Sequence, residues 1–273
     1  SVNLVGGTGT DSLVGGSAAD TISGGDGADT ITGGAGNDSI TGGADADEIN
    51  AGTGTNEITD AGDGADEITH DSAGSTVAIS VTGTDAVTLA ASQTGATATS
   101  ADGVNTTVNA STSTSSVNLV GGTGTDSLVG GSAADTIGGG DGADTLTGGD
   151  GADTITGGAG NDSITGGADA DEINAGTGTN EITDAGDGAD EITHDSAGST
   201  VAISVTGTDA VTLAASQTGA TATSADGVNT TVNASTSTSS VNLVGGTGTD
   251  SLVGGSAADT ISGGDGADTI TGG

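Results

Sequence analysis

The feature that most constrains this chain is a nine-residue period. Read from Gly6, the sequence runs GGTGTDSLV, GGSAADTIS, GGDGADTIT, GGAGNDSIT and GGADADEIN without a break to Asn50. Each unit carries a glycine pair at its start, an acid at its sixth position and an aliphatic residue at its eighth. A short period kept in phase is the signature of stacked structural repeats. The last three residues of a unit, such as Ser12-Leu13-Val14 or Thr30-Ile31-Thr32, make a minimal strand with its aliphatic residue inward and its polar neighbours outward.

The period sits inside a longer repeat. The string SVNLVGGTGTDSLVGGSAADTI begins at Ser1, Ser116 and Ser240, at intervals of 115 and 124 residues. The difference of 9 is one added unit: residues 139–156 read GGDGADTLTGGDGADTIT where residues 24–32 read GGDGADTIT. Nine residues are therefore the structural quantum. The expected organisation is a repeat block at 1–75, a spacer at 76–116, a block with one extra unit at 117–199, a second spacer at 200–240 and the start of a third block at 241–273. The chain begins and stops inside repeats and reads as a window from a longer protein.

The spacers hold TVAISV, AVTLAA, ATATSA, NTTVNA and SVNLV, short β-branched segments with polar turns. Their apolar centres, Ile79, Leu89, Ala98, Val108 and Leu119, lie 10, 9, 10 and 11 residues apart, close to the period of the blocks. Coils of the same solenoid that have lost the glycine-acid turn fit this spacing. A separate small β-sandwich is the alternative, with little material for one.

Charge decides what the acids do. The chain has 38 acidic residues and no Lys or Arg, a formal charge of −38. A compact state with that charge repels itself unless cations come from outside. Nucleic acid and anionic membranes, which are bound through Lys and Arg, are excluded as partners. There is no Cys, so disulfides and thiolate metal sites are absent. No apolar run is long enough to span a membrane, and the start carries no secretory signal pattern.

The tandem pattern G-G-x-G-x-D-x-U-x, with U apolar, resembles the RTX calcium-binding repeat family, over strict units at 6–50, 121–174 and 245–273. The residues suit that chemistry. Glycines at positions 1, 2 and 4 open backbone angles that let successive carbonyls turn toward one point. The acid adds a carboxylate, and a set of hard oxygens at flexible distances suits Ca²⁺ better than Mg²⁺ or a soft metal. The resemblance implies an all-β, right-handed parallel β-roll, a β-solenoid with two nonapeptides per coil and calcium-poor β-coils between the calcium blocks. One edge then recurs every 18 residues. Asp11, Asp29 and Asp47 stack on one edge and Asp20 and Asp38 on the other. Asp126, Asp135, Asp144, Asp153, Asp162 and Asp171 follow in the second block, and Asp250, Asp259 and Asp268 in the third. Eight strict Asp pairs lie 18 apart (11/29, 20/38, 29/47, 126/144, 135/153, 144/162, 153/171 and 250/268), which implies about eight or more Ca²⁺ ions.

Some units depart from the pattern. Ala18, Ala133 and Ala257 replace the glycine at position 4, as do Asp45 and Asp169, and Asn56 and Asn180 replace the acid. Weaker or absent sites are expected there. Asp66 and Asp190 follow a one-residue shift that disturbs the register. The position-3 acids Asp26, Asp141, Asp150 and Asp265 are expected to face water, as are Glu48, Glu57, Glu67, Glu172, Glu181 and Glu191. His70 and His194, beside Asp71 and Asp195, supply one histidine per copy, far short of a zinc site.

One buried aliphatic residue per unit returns less free energy than ordering nine residues costs. The metal-free chain is therefore expected to be disordered. No catalytic constellation is visible, so the chain reads as no enzyme. Three near-identical large repeats favour a secreted structural protein of a Gram-negative bacterium, exported unfolded by the type I route that the resemblance implies. Such a protein would fold outside the cell and self-associate into a surface layer or filament, with neither end showing a cap and a cell-surface polysaccharide as a further candidate partner. The alternatives are the stalk of a giant adhesin, including the ice-binding type, and the calcium-binding tail of a secreted toxin or hydrolase. The irregular run of Thr8/Thr10, Ser17/Ala19, Asp26/Ala28 and Ala35/Asn37 argues against ice binding.

Overall fold

The computed structural model describes residues 1–60, 64–69, 76–81, 86–89, 96–100, 103, 105–184, 188–193, 200–205, 210–213, 220–224 and 229–273. The chain divides into two compact units, Ser1–Gly139 and Gly140–Gly273. Each is a β-solenoid of parallel strands, and no helix occurs among the described residues.

In the first unit the chain alternates between two parallel sheets. One takes, in order, Asn3–Thr8, Thr21–Asp26, Ser39–Ala44, Thr55–Asp60, Thr76–Val81, Ala96–Ser100 and Val117–Thr123. The other takes Ser12–Val14, Thr30–Thr32, Glu48–Asn50, Ala65–Thr69, Ala86–Leu89, Thr107–Asn109 and Ser127–Val129. Two nonapeptides therefore complete one coil. The register makes aliphatic stacks: Leu4 opposite Ile22, Ile22 opposite Ile40 and Ile40 opposite Ile58 in the first sheet. Leu13, Ile31, Ile49 and Ile68 do the same in the second. From Ile22 and Ile31 onward these side chains are buried, and with no aromatic residue in the chain they are the core. Outward neighbours such as Thr30, Glu48 and Glu57 are exposed, because successive residues of a strand face opposite ways.

The spacer continues the same two sheets in place of forming a sandwich. Ile58 pairs with Ile79, Ile79 with Ala98 and Ala98 with Leu119. On the other sheet Ile68 pairs with Leu89, and then Val87 pairs with Val108. The coil lengthens there, since Thr55 stands opposite Thr76 and Ala86 opposite Thr107. The strand at Ala86–Leu89 buries both Val87 and Leu89, with Val87 in register with Asp66. An apolar residue thus enters the row of acids as the repeat block ends.

The second unit is built alike. Thr145–Asp150, Ser163–Ala168, Thr179–Asp184, Thr200–Val205, Thr221–Ser224, Asn242–Val244 and Thr260–Ser262 form one sheet. Thr154–Ala159, Glu172–Asn174, Glu191–Thr193, Ala210–Leu213, Thr231–Asn233, Ser251–Val253 and Thr269–Thr271 form the other.

Candidate metal centre

The sixth-position acids line the inside of the turns that join the sheets. Asp20, Asp29, Asp38, Asp47, Asp126, Asp135, Asp144, Asp153, Asp162, Asp171 and Asp250 are all at most 4 % exposed, an extreme burial for carboxylates. Asp11, Asp259 and Asp268, in the first and last coils, are half-buried. The position-3 acids Asp26, Asp141, Asp150 and Asp265 are exposed, as are Glu48, Glu57, Glu67, Glu172, Glu181 and Glu191. His70 and His194, with Asp71 and Asp195, lie outside the described residues.

In both units one carboxylate oxygen of these rows has a structural task. Oδ1 accepts a hydrogen bond from the backbone amide at the equivalent position one coil earlier. Asp29 receives the Asp11 amide at 2.8 Å, Asp47 the Asp29 amide at 2.9 Å and Asp38 the Asp20 amide at 2.9 Å. In the second unit Asp162 receives the Asp144 amide at 3.0 Å, Asp171 the Asp153 amide at 2.9 Å and Asp268 the Asp250 amide at 3.0 Å. Where a block begins, the donor is a spacer residue or the first residue of the block. Thr106 donates to Asp126 at 2.7 Å, Val117 to Asp135 at 2.8 Å, Thr230 to Asp250 at 2.8 Å and Val241 to Asp259 at 3.0 Å. The Asp rows thus staple coil to coil, a role that the ligand pattern did not suggest.

The other oxygen separates two kinds of turn. In Asp29, Asp38, Asp47, Asp162, Asp171 and Asp250 the buried Oδ2 has no hydrogen-bond partner. A Cβ built on Gly33 would lie 2.7 Å from Asp38 Oδ2 and 2.5 Å from the Ala51 carbonyl oxygen of the next coil. At Gly157 the corresponding distances are 2.6 Å to Asp162 Oδ2 and 2.6 Å to the Ala175 carbonyl oxygen. Two acceptor oxygens therefore converge on one space, in a place that a methyl group would fill. The Ala51 and Ala175 carbonyls also accept from the side-chain amides of Asn56 and Asn180, whereas Asp38 and Asp162 Oδ2 have no donor. Burying such a carboxylate oxygen uncompensated is costly, and a hard cation satisfies it. Among the described residues no group of three acidic or histidine side chains gathers on one point. Backbone carbonyls must therefore complete any coordination shell.

Asp20, Asp135 and Asp259 form the second kind. Their Oδ2 accepts the amide of Gly16 at 2.6 Å, Gly131 at 2.6 Å and Gly255 at 2.8 Å. These are the units with alanine at position 4, and their turn closes on backbone donors. The Gly16 and Val2 amides hold Asp20 below the usual carboxylate range. Burial pushes Asp135 and Asp162 up. Burial pushes Asp47 and Asp171 up to about 6, with the nearby carboxylates of Asp66 and Asp190 adding to the effect.

Glycine acts here in two ways. The second and fourth positions lie in the left-handed region, as at Gly25 (φ 117°) and Gly27 (φ 110°). The first position does not, so its requirement is space for the converging oxygens and not backbone angle. Asp45 and Asp169 keep the left-handed turn with φ of 72° and 74°, which Asp tolerates better than most residues. Their turns retain the backbone path that Ala18 abandons. The one-residue shift is also absorbed: the Asp47 amide donates to Asp66 Oδ1 at 2.6 Å and the Asp171 amide to Asp190 Oδ1 at 2.7 Å. Asp66 and Asp190 therefore join the rows, which the broken spacing obscured.

Parallel coils whose turns gather buried carboxylate and carbonyl oxygens define a cation-binding β-solenoid. The profile of the RTX calcium-binding nonapeptide repeat matches residues 5–40, 23–58, 118–146, 147–182 and 244–273, more than half of the chain. The chain belongs to the RTX calcium-binding repeat family, whose repeats bind Ca²⁺. No curated protein matches it.

Proposed function

We propose that this chain is a secreted structural protein that folds when Ca²⁺ enters its turns and then associates with further copies in a surface layer or extracellular filament. The observation that carries this reading is the row of buried Asp Oδ2 atoms without a donor, in a chain with no Lys or Arg. Asp29, Asp38, Asp47, Asp162, Asp171 and Asp250 would hold the ions with carbonyls of their own and the following turn. Asp126, Asp144, Asp153 and Asp268 belong to the same unit type, and Asp11 begins it. The bound Ca²⁺ supplies positive charge to the buried oxygens. The chain's residues supply the cradle: glycine leaves room for the ion, the aliphatic stack holds the coils together and Oδ1 sets their spacing.

Calcium also explains location. Extracellular modules work at roughly 10⁻⁴–10⁻³ M Ca²⁺. Sites tuned to that range stay empty in the cytosol, so the chain would leave the cell unfolded and fold outside a Gram-negative bacterium. With much of the −38 charge neutralised, repulsion between copies falls. Three near-identical repeats without a catalytic constellation support a structural role. An adhesin stalk is the second reading, because a run of like coils spans distance equally well. Electron microscopy of the purified protein, with CaCl₂ and with EGTA, tests the assignment. Filaments or sheets that appear only with Ca²⁺ are expected. Monodisperse particles at millimolar Ca²⁺ overturn self-assembly and favour the stalk.

A further inference from the structure

In residues 51–59 and 175–183 the nonapeptide reads AGTGTNEIT, with asparagine in place of the acid. The turn backbone is unchanged: Gly52 and Gly54 have φ of 78° and 121°, and Gly176 and Gly178 have 75° and 122°. Asn56 is 1 % exposed and Asn180 is 2 % exposed. Asn56 Oδ1 accepts the Asp38 amide at 2.9 Å, so it keeps the coil-to-coil staple. Its Nδ2 donates to the carbonyl of Ala51, the first residue of its own turn, at 3.0 Å. Asn180 does the same, receiving the Asp162 amide at 2.9 Å and donating to the Ala175 carbonyl at 2.8 Å. One neighbour is an N–H and the other a carbonyl, so chemistry allows only this orientation of the amide.

A second difference accompanies the first. Asp38 and Asp162 sit in turns that start with Gly33 and Gly157, where a Cβ would collide with Oδ2 and with the next coil's carbonyl. The asparagine turns start with Ala51 and Ala175, whose side chains are fully buried. The space beside the sixth-position side chain therefore holds a methyl group. The next coil in each row places Val77 opposite Asn56 and Val201 opposite Asn180. Along these rows acid gives way to amide and then to an apolar residue.

We infer that Asn56 and Asn180 are built-in substitutes for the cation, each ending its row of calcium sites with a turn that closes without metal. The side-chain –NH₂ supplies the positive hydrogen that a buried carboxylate cannot, and the neighbouring methyl group removes the room for an ion. The inference rests on the calcium reading above. It goes further in assigning where calcium stops and which residues stop it.

The test uses the whole chain and CaCl₂ alone, with bound Ca²⁺ counted by equilibrium dialysis and folding followed by circular dichroism. Ala51→Gly with Asn56→Asp restores the Gly-and-Asp pairing of Gly33 and Asp38, and is expected to bind one more Ca²⁺ per chain than the wild type. Adding Ala175→Gly and Asn180→Asp is expected to add a second. Asn56→Ala is expected to leave the number of bound ions unchanged while shifting the folding midpoint to higher Ca²⁺. A double variant that gains no ion overturns the inference, and so does loss of an ion in Asn56→Ala, which would make Asn56 a ligand. If the wild type itself binds no Ca²⁺, the calcium reading falls and the inference with it. The wild-type measurement thus separates the two failures.

Discussion

The turn at Gly24–Asp29 and the turn at Ala110–Ser116 do the same mechanical work, passing the chain from one sheet to the other, with opposite chemistry. In the first, Gly25 and Gly27 take left-handed angles and Asp29 buries an oxygen that no donor reaches. In the second, the turn supplies its own donors. Asn109 Oδ1 accepts the Ser111 amide at 3.0 Å, the Ser113 amide donates to the Ala110 carbonyl at 2.7 Å and Ser113 Oγ donates to the Ser115 carbonyl at 2.9 Å. The Ser132 amide then ties the next coil to the Ser113 carbonyl at 2.9 Å. The second copy repeats this turn at Ala234–Ser240. A hydroxyl both donates and accepts, whereas an ionised carboxylate only accepts. The spacer turn is therefore complete as the chain makes it, and the acid turn is complete only with a cation.

The largest effect that this contrast implies is on folding as a whole. Chelation with EGTA should abolish most of the β-sheet circular dichroism, millimolar Ca²⁺ should restore it, and equal Mg²⁺ should not. Substantial β-structure in EGTA would break the comparison, because the hydroxyl turns and aliphatic stack would then suffice alone.

Single acids come next. Asp38→Ala strands the buried Asp20 amide and opens a cation site, so it should cost about 1–3 kcal/mol through the lost hydrogen bond. One bound ion should go with it. Asp26→Ala, at an exposed position, should stay within about 0.5 kcal/mol. Calcium titrations followed by denaturation at fixed Ca²⁺ compare the two. Equal effects would show that the buried rows hold no ions.

A smaller effect is acid stabilisation without metal. Asp47 and Asp171 are raised to about 6 by burial. Their folded forms hold a proton more tightly than the unfolded chain does, so between about pH 4 and 6 the metal-free fold gains from acid and loses as pH rises. In EGTA, residual β-structure should grow as pH falls through that window, while Ca²⁺ binding weakens through proton competition. A metal-free signal that does not change from pH 7 to 4 would count against buried, unpaired carboxylates.

The smallest effect should fall in the spacer. Ser113→Ala removes the two hydrogen bonds that Ser113 Oγ makes with the Ser115 carbonyl and amide, and should cost about 1 kcal/mol. It should leave the Ca²⁺ stoichiometry unchanged. Loss of an ion would show that the spacer turns also depend on metal.

Much of this was legible in the sequence, for a physical reason. A strand buries every second residue, so one aliphatic per unit in strict phase determines which side faces inward. Nine residues per half-coil follow from the inserted block, and acids 18 apart must then stack. The absence of Lys and Arg leaves external cations as the remaining counter-charge. Glycine at position 1 was less legible. Its letter is the same as at positions 2 and 4, yet it serves space where they serve backbone angle.

Only the tertiary structure decided what each acid touches. Asp20 and Asp38 have the same place in their repeats, but the Gly16 amide closes on one Oδ2 and nothing closes on the other. Asp66 looked displaced by one residue, and the coil absorbs the shift so that its Oδ1 meets the Asp47 amide. Asn56 reads as a lost ligand in the sequence, whereas its amide spans an N–H of one coil and a carbonyl of its own. Periodicity reports which positions recur, because burial repeats with the strand. Whether a recurring oxygen finds a donor depends on a few ångströms of backbone path in the neighbouring coil, which a one-dimensional pattern does not encode.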